Sequence, residues 1–274
     1  MRRITLGQDG FWTVGALADD LAALGLGAGD AVMVHASLRR VGPVLGGADG
    51  VIAALQQVVG AQGSILAYVS WLENFEDALD AAGRLDPALK PFIPPFDAAA
   101  SRANPDHGWF AEALRTTPGA QRSGNPGASV AALGAGAEGL VADHPMDWGY
   151  GPGSPFARLV AAGGQVLMLG APWDTMSLLH HAEHLADIPG KHVRRLEVPL
   201  HTPAGVIWQA MIEYDTADPV VDGLADDYFA DIVGEFLAAG HGRRGRVGDA
   251  DCVLVPAAAM TDFAVDWLER RFRT

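Results

Sequence analysis

Three histidines and two acidic residues interrupt an otherwise apolar run at residues 173–186. In a helix with about 3.6 residues per turn, His180, Glu183 and His184 lie on one face of this run, and Leu185 can point into the core. A histidine has a pKa near neutrality and can act as a general base when a carboxylate orients its imidazole. The run therefore holds the first candidates for catalysis, with His180 as the candidate base.

The same residues satisfy the pattern His-x-x-Glu-His, which is typical of inverted zincin peptidases. Under that interpretation His180 and His184 bind zinc, and Glu183 activates the bound water. Such peptidases also need a glutamate on a downstream helix, and the sequence does not identify one. A zinc metallohydrolase is the alternative function, and a purely structural role for His181 and His184 is the third interpretation.

The elements around this run predict where it lies. Residues 165–172 form an apolar segment ended by glycine and proline, which indicates a buried strand that leads into a loop. Asp174, Thr175 and Ser177 are candidate caps of the helix that follows. A strand, a turn and a capped helix place His180 near the carboxyl edge of a sheet, where α/β folds usually bind ligands.

Strand-like and helix-like segments alternate along the rest of the chain, and a hairpin follows late in the sequence. This alternation predicts an α/β fold with three α/β/α layers on a central mixed sheet, and residues 1–274 as a single domain. Residues 243–247 are predicted to be a basic loop. Helices are predicted at 13–24, 51–59, 109–114, 156–162, 226–238 and 261–272, strands at 31–34, 64–69, 128–133 and 252–255, and the hairpin at 194–200 and 206–212.

Composition limits the class of partner. The formal net charge of −14 argues against binding to nucleic acid or to an anionic membrane, and favours a cationic partner. The single cysteine, Cys252, excludes an intramolecular disulfide and a cysteine-based zinc site. No segment approaches the about 20 apolar residues of a membrane span, and the N-terminus lacks the apolar part of a signal peptide. A cytoplasmic protein is expected.

Two further segments have residues suited to ligands. Residues 35–42 follow a predicted strand and precede a glycine-rich turn and a helix, so backbone N–H groups, hydroxyls and Arg39 are available to a phosphate. This is not a Walker motif, because the Gly-Lys-Ser/Thr sequence is missing. Further along, the acidic residues Glu73, Glu76 and Asp77 follow Trp71, and such a segment favours a cationic ligand.

Several separated motifs together resemble the aminoglycoside 3-N-acetyltransferases, a family unrelated to the GNAT acetyltransferases. The similarity extends over nearly the whole chain, in order. Members of that family transfer an acetyl group from acetyl-coenzyme A to the 3-amino group of the 2-deoxystreptamine ring. The motifs are HASLR at 35–39, VSW at 69–71, GSP at 153–155 with Ala157 and Arg158, LMLG at 167–170 and LHHAE at 179–183.

The resemblance implies roles for individual residues. It implies that His180 is the catalytic base, with Glu213 as its carboxylate partner and Asp215 as a close competitor. Asn125 stands where many relatives have histidine, so a role for that histidine is not expected here. The implied coenzyme A contacts are His35, Ser37, Leu38, Arg39, Val41, Ser154 and Arg158, and the implied aminoglycoside contacts are Trp71, Glu73, Glu76, Asp77, Asp174 and Glu183.

The chemistry expected from the residues agrees with this assignment. A polycationic aminoglycoside is attracted by an acidic protein, whereas acetyl-coenzyme A needs a locally basic site, which Arg39 and Arg40 supply. Direct transfer in a ternary complex is expected, because Cys252 lies in an apolar segment and no serine has the Gly-x-Ser-x-Gly setting of a nucleophile. No metal is expected, and the protein is expected to be a monomer or a homodimer. A non-enzymatic polyamine- or sugar-binding protein would explain the acidity but not His180 or Arg39.

Overall fold

A computed structural model describes residues 1–6, 9–71, 75–216 and 219–272. The strands belong to a central sheet and two separate hairpins. In chain order they are β1 (Arg3–Leu6), β2 (Asp9–Trp12), β3 (Ala31–Ala36), β4 (Ser64–Tyr68), β5 (Gln121–Arg122), β6 (Val130–Gly134), β7 (Gln165–Leu169), β8 (Val193–Thr202), β9 (Gly205–Tyr214), β10 (Arg243–Val247) and β11 (Ala250–Pro256).

The central sheet has the order β10-β11-β7-β3-β4-β6-β5. Its three middle strands, β7, β3 and β4, are parallel, whereas β11 and β6 flank them antiparallel. The register places Val34 opposite Leu167 and Met33 opposite Leu66. Because parallel strands are buried on both faces, the middle of each segment is apolar. The mixed sheet predicted from the sequence is confirmed.

Helices cover both faces of this sheet, which confirms the three-layer α/β/α architecture. One face packs against α1, α3 and α4, and the opposite face packs against α5 to α9. The helices are α1 (Val14–Leu24), α2 (Leu38–Val41), α3 (Gly47–Val59), α4 (Gly108–Thr116), α5 (Ala137–Val141), α6 (Pro155–Ala161), α7 (Leu178–Leu185), α8 (Tyr228–Ala238) and α9 (Ala257–Phe272). Among the described residues, no helix is both long and apolar enough to span a membrane.

The predicted hairpin, β8 and β9, forms a separate two-stranded sheet. It packs against the irregular segment at residues 75–96 through a small apolar core of its own. Glu197 of β8 accepts a hydrogen bond from the Leu85 amide at 2.7 Å, and the Phe96 amide donates to the Pro199 carbonyl at 2.8 Å. The hairpin and this segment therefore hold each other beside the sheet.

Two local predictions are wrong. The segment at 243–247 is not a loop but the edge strand β10, in which arginines point to solvent while Val247 is buried. An edge strand tolerates such charges, which make it look like a loop in sequence. Leu185 was expected in the core but is 45% exposed, because α7 ends there.

A half-buried arginine ties the sheet to the loops beside it. Arg122 donates to the Ser129 hydroxyl at 3.0 Å, to the Ser101 carbonyl at 2.6 Å and to the Val69 carbonyl. Its guanidinium carbon lies 4.8 Å from the ring centroid of Phe96. Burial lowers the pKa of Arg122 to about 10, so the side chain remains charged at neutral pH. Contacts with three chain segments therefore replace the water that would otherwise hydrate the guanidinium.

We expect Arg122→Met to lower the free energy of unfolding by about 1–3 kcal/mol, because it leaves buried carbonyl oxygens without their donor. Denaturant unfolding measures the change. Arg102→Gln is the matched control, since Arg102 is 77% exposed and pairs with Glu112 at the surface. The control should change stability by about 0.5 kcal/mol or less. Equal effects of the two variants would contradict a structural role for Arg122.

Candidate active site

The larger of two adjoining cavities opens at the carboxyl ends of β3, β4 and β7. Its volume is about 630 Å³, and its wall includes His35 from β3, Tyr68 from β4 and Pro172 after β7. Gly170 turns the chain after β7 with φ of +67°, and a Cβ there would lie 3.0 Å from the Cβ of Ala250. His180 also lines this cavity, so its predicted position near the carboxyl edge of the sheet is confirmed.

His180 lines this cavity from α7 and is oriented by a buried carboxylate. Its Nδ1 lies 2.7 Å from Oε2 of Glu183, one helical turn further along. Glu183 is 2% exposed, and its other oxygen accepts a hydrogen bond from the Tyr228 hydroxyl. Because an ionised carboxylate can only accept, Nδ1 donates, and the lone pair of the neutral imidazole is on Nε2.

Aromatic rings hold the imidazole plane in place. The His180 ring centroid lies 4.8 Å from that of Tyr150 and 4.9 Å from that of Phe229. Burial raises the pKa of Tyr150 well above its ordinary value, so the phenol stays neutral and remains a donor. The His180 imidazole is therefore fixed by a hydrogen bond on one edge and by ring contacts around it.

The predicted pairing of His180 with Glu213 is wrong. Glu213, at the end of β9, instead lies 2.6 Å from Nε2 of His184, measured from its Oε1. The reason is helical geometry: spacing i, i+3 brings Glu183 to His180, while His184 lies a turn further along and meets the hairpin. His181 is buried, and its Nδ1 lies 2.7 Å from the Tyr150 carbonyl, as expected for a structural histidine.

The geometry required by the zinc interpretation is not formed. The two candidate imidazoles, His180 and His184, are each hydrogen-bonded to a different carboxylate. Within the ranges that the structure describes, no cluster of three or more histidine, cysteine, aspartate or glutamate side chains is arranged to hold a metal ion. In this structure the pattern His-x-x-Glu-His pairs His180 with Glu183 and His184 with Glu213.

Four of the predicted coenzyme A residues lie together on the wall of the larger cavity. They come from the end of β3 and the start of α2. Ser37 occupies the N-cap position of α2, but its hydroxyl makes no capping bond. The segment therefore presents polar groups to the cavity. These residues are His35, Ser37, Leu38 and Arg39.

Three other predicted coenzyme A contacts do not line the larger cavity, because their side chains pack elsewhere. Val41 is fully buried in the core. Ser154 is fully buried as the N-cap of α6, accepting from the Ala157 amide at 3.2 Å. The guanidinium of Arg158 donates to the carbonyl of Ala142, the residue that follows α5.

Two neutral imidazoles, which the sequence did not indicate as a pair, also line the larger cavity. Burial lowers the pKa of His35 to about 3, and the closeness of two other imidazoles, His107 and His180, further disfavours a proton on it. The pKa of His107 is lowered to about 4, mainly by burial, and its Nε2 lies 2.5 Å from the Ser70 hydroxyl. His107 follows the long irregular segment, and that position is the only sequence signal that would have indicated it.

The smaller cavity has a volume of about 280 Å³ and lies between the sheet edge and the hairpin. It contains Trp71 and Glu76 from the acidic segment and Glu213 from β9. Tyr68 lines both cavities, so the two share a wall. Its hydroxyl lies 2.5 Å from that of Tyr150. The arrangement suits a reaction between two ligands that meet at this wall.

The other predicted acceptor contacts are distributed differently. Asp77 is exposed on a separate shallow groove, because the short 3₁₀ turn at Glu76–Ala78 directs it away from the smaller cavity. Asp174 lines the larger cavity, and Glu183 is buried behind His180, so neither lies in the smaller one. Glu73 lies outside the described residues.

Asn125 also lines the smaller cavity, yet its side chain is committed to the backbone. Its amide group donates to the Pro145 carbonyl at 2.8 Å and to the Met146 carbonyl at 3.1 Å. Its carbonyl oxygen accepts from the Ala128 amide at 2.9 Å. Asn125 therefore has a structural role in shaping the cavity.

Comparison with known proteins shows the family of the chain. A family model described as aminoglycoside 3-N-acetyltransferase matches residues 33–269. Aminoglycoside N(3)-acetyltransferase III of Pseudomonas aeruginosa is 45% identical, over 93% of each chain. Aminoglycoside N(3)-acetyltransferase VII of Streptomyces paromomycinus is 44% identical, over 96% of this chain and 94% of the relative.

Solved structures agree as well. AAC-IIIb in a binary complex with CoASH is 61% identical, with a TM-score of 0.95 over 96% of this chain and 98% of that one. AAC-VIa bound to sisomicin is 36% identical, with a TM-score of 0.91 over 96% and 100%. The fold is that of an acyltransferase outside the GNAT class. The chain belongs to the aminoglycoside 3-N-acetyltransferase family, and the resemblance found in its motifs is confirmed.

The neutral state of His107 should make the protein acid-sensitive. Its folded pKa of about 4 lies below that of an unfolded histidine, so the unfolded chain binds the proton first as pH falls. Stability is therefore present above about pH 6.5 and is lost toward pH 4. We expect the loss of unfolding free energy between pH 7 and pH 5 to be smaller by about 1 kcal/mol in His107→Gln.

Denaturant unfolding at both pH values measures this difference. His201→Gln is the control, because it removes an imidazole exposed on the hairpin. The control should show the same loss as the unchanged protein. A loss in His107→Gln equal to that of the unchanged protein would show that His107 is not held neutral by burial.

Proposed function

We propose that this protein transfers the acetyl group of acetyl-coenzyme A to the 3-amino group of the 2-deoxystreptamine ring of aminoglycoside antibiotics, and so confers resistance. The observation that carries the proposal is the position of His180. It lines the larger cavity with its lone pair on Nε2, held by Glu183. Tyr150, which contacts its ring, lines the adjoining smaller cavity. A base at the boundary of two cavities suits a reaction between a donor and an acceptor.

The larger cavity is the proposed donor site. Its volume suits an extended acyl carrier, and its wall presents Ser37 and Arg39 at the end of a β-strand. Arg39 is exposed and available to the phosphates of the carrier. The similar protein AAC-IIIb is known in complex with CoASH, which supports the same class of donor here. A cytoplasmic location is part of the proposal, since acetyl-coenzyme A is an intracellular metabolite.

The smaller cavity is the proposed acceptor site. Glu76 and Glu213 contribute carboxylates, and Trp71 contributes an aromatic wall, which together suit a cationic amino sugar. The formal net charge of −14 would speed the approach of a polycation. AAC-VIa is known with sisomicin bound, and a variant of AAC(3)-IVa is known in complex with a gentamicin, which supports the acceptor class.

The proposed reaction is direct transfer in a ternary complex. The lone pair of the acceptor amine forms a bond to the thioester carbonyl carbon, and Nε2 of His180 takes the proton that the amine loses. The bond from carbon to sulfur then breaks, and the imidazolium returns its proton to the departing thiolate. The carboxylate of Glu183 stabilises the imidazolium between these steps, as a buried carboxylate does beside any catalytic histidine.

The first test is release of free thiol from acetyl-coenzyme A, with gentamicin as acceptor. We expect thiol release that depends on gentamicin and is unchanged by EDTA, because the proposed base is an imidazole of the chain. A thiol reagent follows the reaction, and mass spectrometry identifies the acetylated product. Release without acceptor, or none with any 2-deoxystreptamine drug, would contradict the proposal. Activity that EDTA abolishes would favour the metallohydrolase.

We expect His180→Ala to lower kcat about a hundredfold or more, because it removes the general base. The KM values for both substrates should change little, since the proposed binding walls remain. His201→Ala is the matched control, because its imidazole lies on the exposed hairpin. Steady-state kinetics with gentamicin measures both variants. Near-normal turnover in His180→Ala would remove this residue from the mechanism.

A further inference from the structure

The proposed acceptor cavity contains a positive charge of its own. Arg194, on β8, lines the cavity and forms an ion pair with Glu76 on the opposite wall. The side chains are 34% and 21% exposed, so the pair is partly shielded from solvent. A guanidinium is an unexpected neighbour for a polycationic acceptor, because like charges repel in a partly buried site.

Arg194 also lies beside the second carboxylate of the cavity. In the register of the hairpin it is directly opposite Glu213, and opposite residues point their side chains to the same face of the sheet. Glu213 is engaged elsewhere, by His184 at 2.6 Å and by the Tyr214 amide at 2.8 Å. Arg194 is therefore available to Glu76, which the structure shows as its partner.

These contacts mean that both carboxylates lining the cavity already have hydrogen-bond donors. An ammonium group of the acceptor that binds Glu76 must either share this carboxylate with Arg194 or replace it. Arg194 extends from a hairpin strand and is a third exposed, so its released guanidinium would be hydrated at moderate cost. Replacement therefore exchanges one cation for another on the same carboxylate.

We propose that Arg194 is an internal competitor of the acceptor: its guanidinium occupies Glu76, and a cationic aminoglycoside binds by displacing it with an ammonium group. Arg194 thus determines specificity. An acceptor with an ammonium group near Glu76 can replace the guanidinium, whereas one with a neutral hydroxyl there cannot. This inference rests on the proposed function, because it assigns the smaller cavity to the acceptor.

The direction of the effect follows from charge. Among the described residues that line the cavity, the carboxylates of Glu76 and Glu213 face the single guanidinium of Arg194, so its removal doubles the net formal negative charge. We expect Arg194→Gln to lower the Kd of gentamicin about threefold to tenfold, with a larger effect at low ionic strength. In the enzymatic assay KM should fall in parallel, while kcat changes less than about twofold.

Isothermal titration calorimetry with gentamicin alone measures Kd and needs no acetyl transfer, so it remains informative even if the proposed activity is absent. The second measurement is a double-mutant cycle with Glu76→Gln. If Arg194 competes for Glu76, Arg194→Gln should improve affinity less in the Glu76→Gln background than in the unchanged protein. The same improvement in both backgrounds would overturn the competition, since it would show a general field effect.

Two further variants separate local charge from folding and total charge. Arg194→Lys keeps the positive charge, and its Kd should stay closer to that of the unchanged protein than the Kd of Arg194→Gln. Arg246→Gln removes one charge from the sheet edge strand β10, where Arg246 lies near Asp251, and should leave Kd unchanged. Weaker gentamicin binding in a folded Arg194→Gln protein, verified by thermal unfolding, would overturn the proposal, because it would mean that Arg194 supports the acceptor site.

Discussion

The hydrogen bond between His180 and the buried Glu183 is the contact on which the rest of the site depends. A carboxylate at 2% exposure cannot be hydrated, so its two oxygens need donors from the protein. Nδ1 of His180 supplies one, and the Tyr228 hydroxyl supplies the other. The same contacts join α7 to α8, so the core of the fold sets the tautomer and orientation of the proposed base. The same interactions therefore stabilise the fold locally and fix the geometry of the proposed catalytic site.

The parallel strands at the centre of the sheet explain why the cavities lie where they do. Because β3, β4 and β7 run in the same direction, their carboxyl ends deliver His35, Tyr68 and the loop after Leu169 to one edge. The antiparallel hairpin β8 and β9 then encloses a second space next to it. Tyr68, at the end of β4, therefore lines both cavities. This shared wall requires both the parallel strands and the hairpin.

The two cavities differ in how they treat charge. Around the larger one, burial keeps His35 and His107 neutral, so its inner wall adds no fixed positive charge near the base. Around the smaller one, each carboxylate has donors of its own: His184 and a backbone amide for Glu213, and Arg194 for Glu76. Acidity of the whole chain attracts a polycation, but these local partners decide how strongly it is held.

Periodicity and local spacing in the sequence determined the layers, the hairpin and the helix that carries His180. These features depend on neighbouring residues, and the 3.6- and 2-residue periods record them directly. The motifs also identified the family. Tertiary structure decided the partner of each site residue. Glu183 rather than Glu213 orients His180. The guanidinium of Arg158 donates to the Ala142 carbonyl and does not line the larger cavity. His107 joins the cavity wall and Arg194 joins Glu76 through contacts between segments far apart in the chain. Such contacts depend on strand order, register and packing, and no local pattern of residues encodes them.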